Sequence, residues 1–160
     1  MNSNALYGLS ILMSFVAFGI VTKVFVWPRL RVLRRTDALL PLVIPHTFRF
    51  LGLSFLIPGV VSPTLSPAFA VPAAYGDFVA AILANVATLA LAARASWAIP
   101  IVWVFNIWGP IDLLHAIYKG QMRVGDPGAL GATFFIPTIV VPLLLVTHGL
   151  IFLLLLRPKP

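Results

Sequence analysis

Six ionisable side chains lie within long apolar runs of this sequence: His46, Arg49, Asp77, Asp112, His115 and His148, with Asn85 and Asn106 as neutral polar additions. A charged side chain at the centre of a membrane helix costs roughly 2.5–3.5 kcal/mol on insertion scales, so such residues mark where function is to be sought. Glutamate is absent, and Asp77 and Asp112 are half of the four carboxylates. An arginine in hydrocarbon needs a counter-charge within reach of its long side chain. Arg49 is therefore expected to bridge to Asp77, Asp112 or both, drawing their three helices together. His46 and Arg49 are three residues apart, as are Asp112 and His115, so each pair is expected to share a helix face.

Several chemistries are open to these residues. Arg49, Asp77, Asn106, Trp108, Asp112 and His115 can line a polar interhelical site for a small or amphipathic ligand. Trp108 and Trp103 lie too deep for an interface belt and are expected to line an interhelical surface or a flat ligand. His46 and His148 each fall about eight residues, or roughly 12 Å, from the basic end of their helices. At one depth on separate helices, they are candidate axial ligands for haem b, because neutral imidazole is a common iron ligand. The same charges can also serve only to hold the bundle together, although polar contacts between membrane helices average just about 0.6 kcal/mol. A zinc site from His46, His115 and His148 is disfavoured by the different depth of His115, while Asp112-x-x-His115 has the elements of a proton shuttle. Cysteine is absent, and there is no phosphate-cradling glycine loop, nucleophile elbow or i, i+4 histidine pair. No catalytic residue is assigned, and an enzyme acting on a lipid stays open but without an identifiable nucleophile.

The elements that must position these groups follow from composition. The 160 residues are 61% hydrophobic and 9% charged, with a mean hydropathy of +1.05, against about 25% charged residues in a soluble domain. An all-α integral membrane bundle is expected, a single transmembrane domain over 1–160 with five spans near 5–27, 38–61, 73–93, 96–118 and 133–156. Pro41, Pro45, Pro58, Pro100, Pro110, Pro137 and Pro142 fall inside these spans and are expected to kink several of them. Stretch 62–72 reads as an apolar connection lying on the bundle, and 120–131 as an ordinary loop. Gly52, Gly59, Gly76 and the alanines at 80, 81, 84 and 87 are expected to let the second and third spans approach closely.

The basic residues fix an orientation. Lys23, Arg29, Arg31, Arg34, Arg35, Arg94, Arg157 and Lys159 lie on alternate connections and the tail, while only Lys119 and Arg123 lie on the other side. By the positive-inside rule the N-terminus is outside and the C-terminus cytoplasmic, in a multi-pass protein of the cell inner membrane. The net charge of +7 is distributed as topology and is not a nucleic-acid footprint. Expected partners are membrane lipids, a small-molecule ligand, and other membrane subunits or further copies of the chain, but no nucleic acid.

The pattern Phe48-Arg49-x-x-Gly52, then Pro72-Ala-Ala-Tyr-Gly-Asp77, Phe105-Asn106-x-x-Gly109-x-x-Asp112, Pro142 and His148 resembles a family of small, uncharacterised bacterial multispanning membrane proteins. The resemblance covers roughly 46–150. It implies that Arg49, Asp77, Asn106, Asp112 and His148 form one shared site and that the first span is a variable addition. The resemblance carries no activity; from the polar residues within the helices, a ligand-binding carrier or accessory subunit of a membrane complex is expected, and a haem-binding electron-transfer subunit and a purely structural subunit stay open beside it.

Overall fold

The computed structural model describes residues 2–157, which form helices joined by short turns. Five helices are long and apolar enough to cross a membrane: α1 (Ser3–Leu30), α2 (Arg35–Leu56), α3 (Pro67–Ala92), α4 (Ala98–Arg123) and α6 (Ile136–Leu156). A short helical segment, α5 (Pro127–Phe134), precedes α6. Helix α1 opens on Asn2, whose side chain accepts the Ala5 N–H at 2.9 Å, satisfying one of the unpaired donors of the first turn.

Two of the five helices contain a widened turn just before a proline. In α1 the Trp27 N–H bonds to the Thr22 carbonyl ahead of Pro28, and in α6 the Val141 N–H bonds to the Ile136 carbonyl ahead of Pro142. Proline has no N–H, and its ring presses on the carbonyl four residues back, so a widened turn accommodates it without breaking the helix.

Helix α2 departs from regular geometry in the opposite direction. Its first part, Arg35–Val43, is α-helical, and Ile44–Leu56 continues as a tighter 3₁₀ helix. Such a run is far longer than the usual 3–4 residues. Thr47 and Ser54 follow the tighter pitch, their hydroxyls donating to the carbonyls three residues back, Ile44 at 2.8 Å and Leu51 at 2.6 Å. The buried residues of this stretch are His46, Arg49, Gly52 and Phe55. They recur every three residues, and at about 3.0 residues per turn they stand in one straight line. At about 3.6 residues per turn the ends of that line, nine residues apart, would face opposite ways.

Helix α2 stops at Leu56, earlier than the expected residue 61, because Pro58 and Gly59, with φ +86°, turn the chain. The segment after the turn is tied to α5: Ser62 N–H donates to the Ala129 carbonyl and Ala132 N–H to the Val60 carbonyl. Gly131 has φ +54°, and a side chain there would also strike the Val60 carbonyl. Helix α3 starts at Pro67, so 67–72 is helical and is not part of the expected connection; a proline in the first turn forfeits no helical bond. Helix α4 runs on to Arg123, into the expected loop, and α5 occupies much of the remainder.

Apolar packing is concentrated at two levels. Near the basic end, Leu39, Val43, Ala84, Ala87, Val102, Phe105 and Ile151 form one cluster; toward the other end, Phe55, Phe69, Ala70, Ala74 and Leu130 form a second. The inward face of α3 carries Ala73, Ala74, Ala80, Ala81, Ala84, Ala87 and Ala90, all buried, so small side chains let its neighbours approach closely. Helix α1 has no buried residue apart from Leu30 at its end. At the basic end Asp37 pairs with Arg34 at 3.2 Å and lies 3.9 Å from Arg94. Arg157 donates to the Arg31 carbonyl at 2.9 Å, and Arg35 donates to the carbonyl of Arg157. Lys159 lies outside the described residues.

Candidate functional site

Between the two apolar clusters lies a polar layer built by α2, α3, α4 and α6. The Arg49 side chain is fully enclosed. Its Nε donates to Asp77 Oδ1 at 2.7 Å, its Nη2 to Asp112 Oδ2 at 2.6 Å, and its Nη1 is 3.4 Å from the Gly109 carbonyl. The planar fork of the guanidinium suits this arrangement, since it can address two carboxylates from fixed positions. One arginine thus ties together three helices.

Three glycines make room for these side chains. A Cβ at Gly52 would overlap the Asp77 carboxylate, one at Gly76 would overlap the Asp112 carboxylate, and one at Gly109 would overlap the His148 imidazole and come within 3.1 Å of Arg49 Nη1. Each glycine belongs to a helix adjoining the one whose side chain it admits. Sequence reasoning read Gly52 and Gly76 as helix-packing residues; what they admit is a buried charge. The signal was present in the adjacency of Gly76 to Asp77 and in the three-residue steps Arg49–Gly52 and Gly109–Asp112.

The histidines form the neighbouring part of the layer. His46 and His148 are both buried, with ring centroids 4.2 Å apart, and Phe105 packs against both at 4.9 and 5.1 Å. The Thr147 hydroxyl lies 3.0 Å from the carbonyls of Leu143 and Leu144, to which it donates, and so accepts from His46 Nε2 at 2.9 Å. Asn106 turns its Nδ2 to the His148 carbonyl at 3.3 Å, which leaves its Oδ1 to accept from His148 Nδ1 at 2.6 Å. These partners assign the tautomers. His46 Nδ1 and His148 Nε2, both buried and without a partner among the described residues, are then bare lone pairs.

This arrangement does not fit a haem. Bis-histidine ligation requires the porphyrin and its iron to stand between two imidazoles, whereas these rings pack directly on each other, with centroids 4.2 Å apart, and on Phe105. Among the described residues no three His, Asp or Glu side chains are grouped to hold a metal ion.

Two residues expected in the site lie outside the polar layer. Trp108 is 43% exposed, with its Nε1 reaching the Gly76 carbonyl at 3.5 Å, and His115 is exposed. Helix α4 is α-helical here, so at about 100° per residue His115, nine residues from Asn106, points about 180° away from it. Its three-residue separation from Asp112 carries it off the buried face. Asn85 is also exposed and folds its amide back onto the Ala81 carbonyl at 2.8 Å. Trp103 packs at a tilt against Phe152, with ring centroids 6.0 Å apart.

A cavity of about 610 Å³ reaches this layer from the end of the bundle that holds α5, opposite the end where Arg34, Arg35, Arg94 and Arg157 gather. Its walls include Tyr7, Gly8 and Phe15 of α1, Phe55 of α2, Phe69 and Ala73 of α3, and Leu113 and Ala116 of α4, with Asp77 in the lining. It was not legible in the sequence, because its residues are mostly apolar and come from six separate stretches.

Fold and site together define an all-helical bundle of five membrane-length helices, sealed at mid-depth by a buried arginine, two aspartates and a histidine pair, with a cavity running to one aspartate. The chain belongs to the family described as Domain of unknown function (DUF8737), whose model matches residues 6–156. That match includes nearly all of α1, so the first helix is part of the family's domain and not an addition to it. No curated protein and no solved structure matches the chain.

Proposed function

We propose that this is a multi-pass protein of the cell inner membrane, N-terminus outside and C-terminus cytoplasmic, that binds a small or amphipathic ligand between its helices as a carrier or as an accessory subunit of a membrane complex. Its proline-bearing helices are taken to be kinked around the site. The observation that carries the reading is the cavity of about 610 Å³, which has an apolar wall and an Asp77 carboxylate in its lining. Ligand pockets are commonly about 300–1,000 Å³, mainly apolar, with a few convergent polar groups. A carboxylate costly to bury, placed beside such a space, supports binding over a purely structural role. In this reading Arg49 and Asp112 position Asp77, while Asn106 and His148 form the packed layer behind it.

Native mass spectrometry of the protein purified in mild detergent tests this. A small molecule retained by the wild type and lost in Ala116→Trp, which fills the cavity, is the expected result. A wild type carrying no small molecule, or an adduct indifferent to Ala116→Trp, would overturn it.

A further inference from the structure

The balance of charge around the cavity bears on what kind of molecule enters it. The formal charges of Arg49, Asp77 and Asp112 sum to −1, in a layer where the guanidinium is fully enclosed and Asp77 and Asp112 are each 8% exposed. Asp77 spends Oδ1 on Arg49 and, among the described residues, has no hydrogen-bond partner for Oδ2. Among the described residues, Asp77 is the one acidic residue in the cavity lining, which includes no Lys, Arg or His. A uncompensated charge in so enclosed a place is costly, and a cation brought to it removes that cost.

The remaining wall points the same way. Tyr7, Phe15, Phe55 and Phe69 all line the cavity, and Phe55 and Phe69 stand edge to face with centroids 5.4 Å apart. Aromatic faces attract desolvated organic cations through the ring quadrupole and repel anions. Backbone contacts and apolar area would serve a neutral guest equally well; the lone carboxylate and the aromatic lining would not.

We infer that the ligand is an amphipathic organic cation, an apolar body carrying one positive charge that it docks against Asp77. This rests on the reading of the cavity as a ligand site. Tetraphenylphosphonium and tetraphenylborate have the same shape and opposite charge, so the pair isolates the sign of the charge. Saturable binding of each to the full chain in nanodiscs, corrected for protein-free nanodiscs, is the measurement. The expected result is binding of the cation at least about tenfold tighter than the anion, abolished by Ala73→Trp and reduced to a difference within about threefold by Asp77→Asn. Equal affinity, or tighter binding of the borate, with both ions excluded by Ala73→Trp, would overturn the charge assignment and leave the cavity reading standing. Binding of neither ion, or binding unaffected by Ala73→Trp, would overturn both. The comparison of the two ions on the wild type stands even if Asp77→Asn does not fold.

Discussion

At the scale of single residues, Arg49 has the most to lose. Removing one partner of a buried ion pair strands the other, which costs about 3–5 kcal/mol, whereas replacing all partners by neutral groups costs far less. Arg49→Gln is therefore expected to lower stability by about that amount, measured as thermal unfolding in detergent, and the triple variant with Asp77→Asn and Asp112→Asn to regain much of it. No recovery in the triple variant would show that the three residues do not act as one unit. The glycines give a second comparison. Gly76→Ala and Gly109→Ala force a methyl group into a carboxylate and an imidazole and should each cost about 1–3 kcal/mol by overpacking. Gly149→Ala and Gly8→Ala, on helices with nothing within 4 Å of the new methyl, should stabilise by up to about 1 kcal/mol. Equal effects in the two sets would contradict the role given to the glycines. Membrane cost alone made Arg49, Asp77 and Asp112 legible in the sequence. It did not separate them from His115, since cost says nothing of which way a side chain faces.

At the scale of elements, α2 and α4 treat a three-residue interval differently. On the α-helical α4 it drifts by about 60° per step, which carries His115 off the face that holds Asn106; on the 3₁₀ part of α2 it does not drift at all. Sequence spacing is the same in both, so helix type could not be read from it, although the run His46-x-x-Arg49-x-x-Gly52-x-x-Phe55 carries the period that the tighter helix requires. Single-cysteine scanning of 45–56, leaving Arg49 and Gly52 in place, with a lipid-phase spin-label probe is expected to show protection at both 46 and 55 and exposure at Phe48, Phe50 and Leu51. A protection period of about 3.6 would rule out the 3₁₀ run. The chain has no native cysteine, so each introduced thiol reports alone.

For the whole molecule, apolar run lengths were enough to locate five helices within several residues, because the hydrocarbon thickness sets a length that composition alone can meet. Helix ends were less legible: Pro58 and Gly59 end α2, while Pro67 begins α3, and proline at a helix start and proline past its end look alike in isolation. The cavity was illegible because α1, which lends it Tyr7 and Phe15, carries no charge before Lys23 to draw attention. The proposed orientation predicts that a cysteine replacing Ser3 reacts with an impermeant maleimide on intact cells, and one replacing Arg157 only after permeabilisation. Labelling of both from one side would exclude an odd number of crossings.

The 3₁₀ segment of α2 also has a mechanical consequence. Thirteen residues at about 2.0 Å each span about 26 Å, but as an α-helix they would span about 20 Å. The same conversion would unwind the segment by about two-thirds of a turn, rotating Phe55, on the cavity wall, relative to His46, in the polar layer. Axial length, the bearing of Phe55 and the register of Arg49 against its two aspartates are thus one screw motion and not three independent adjustments. A change of helix type in this segment would therefore break the register of Arg49 against Asp77 and Asp112 and turn Phe55 off the cavity wall at the same time.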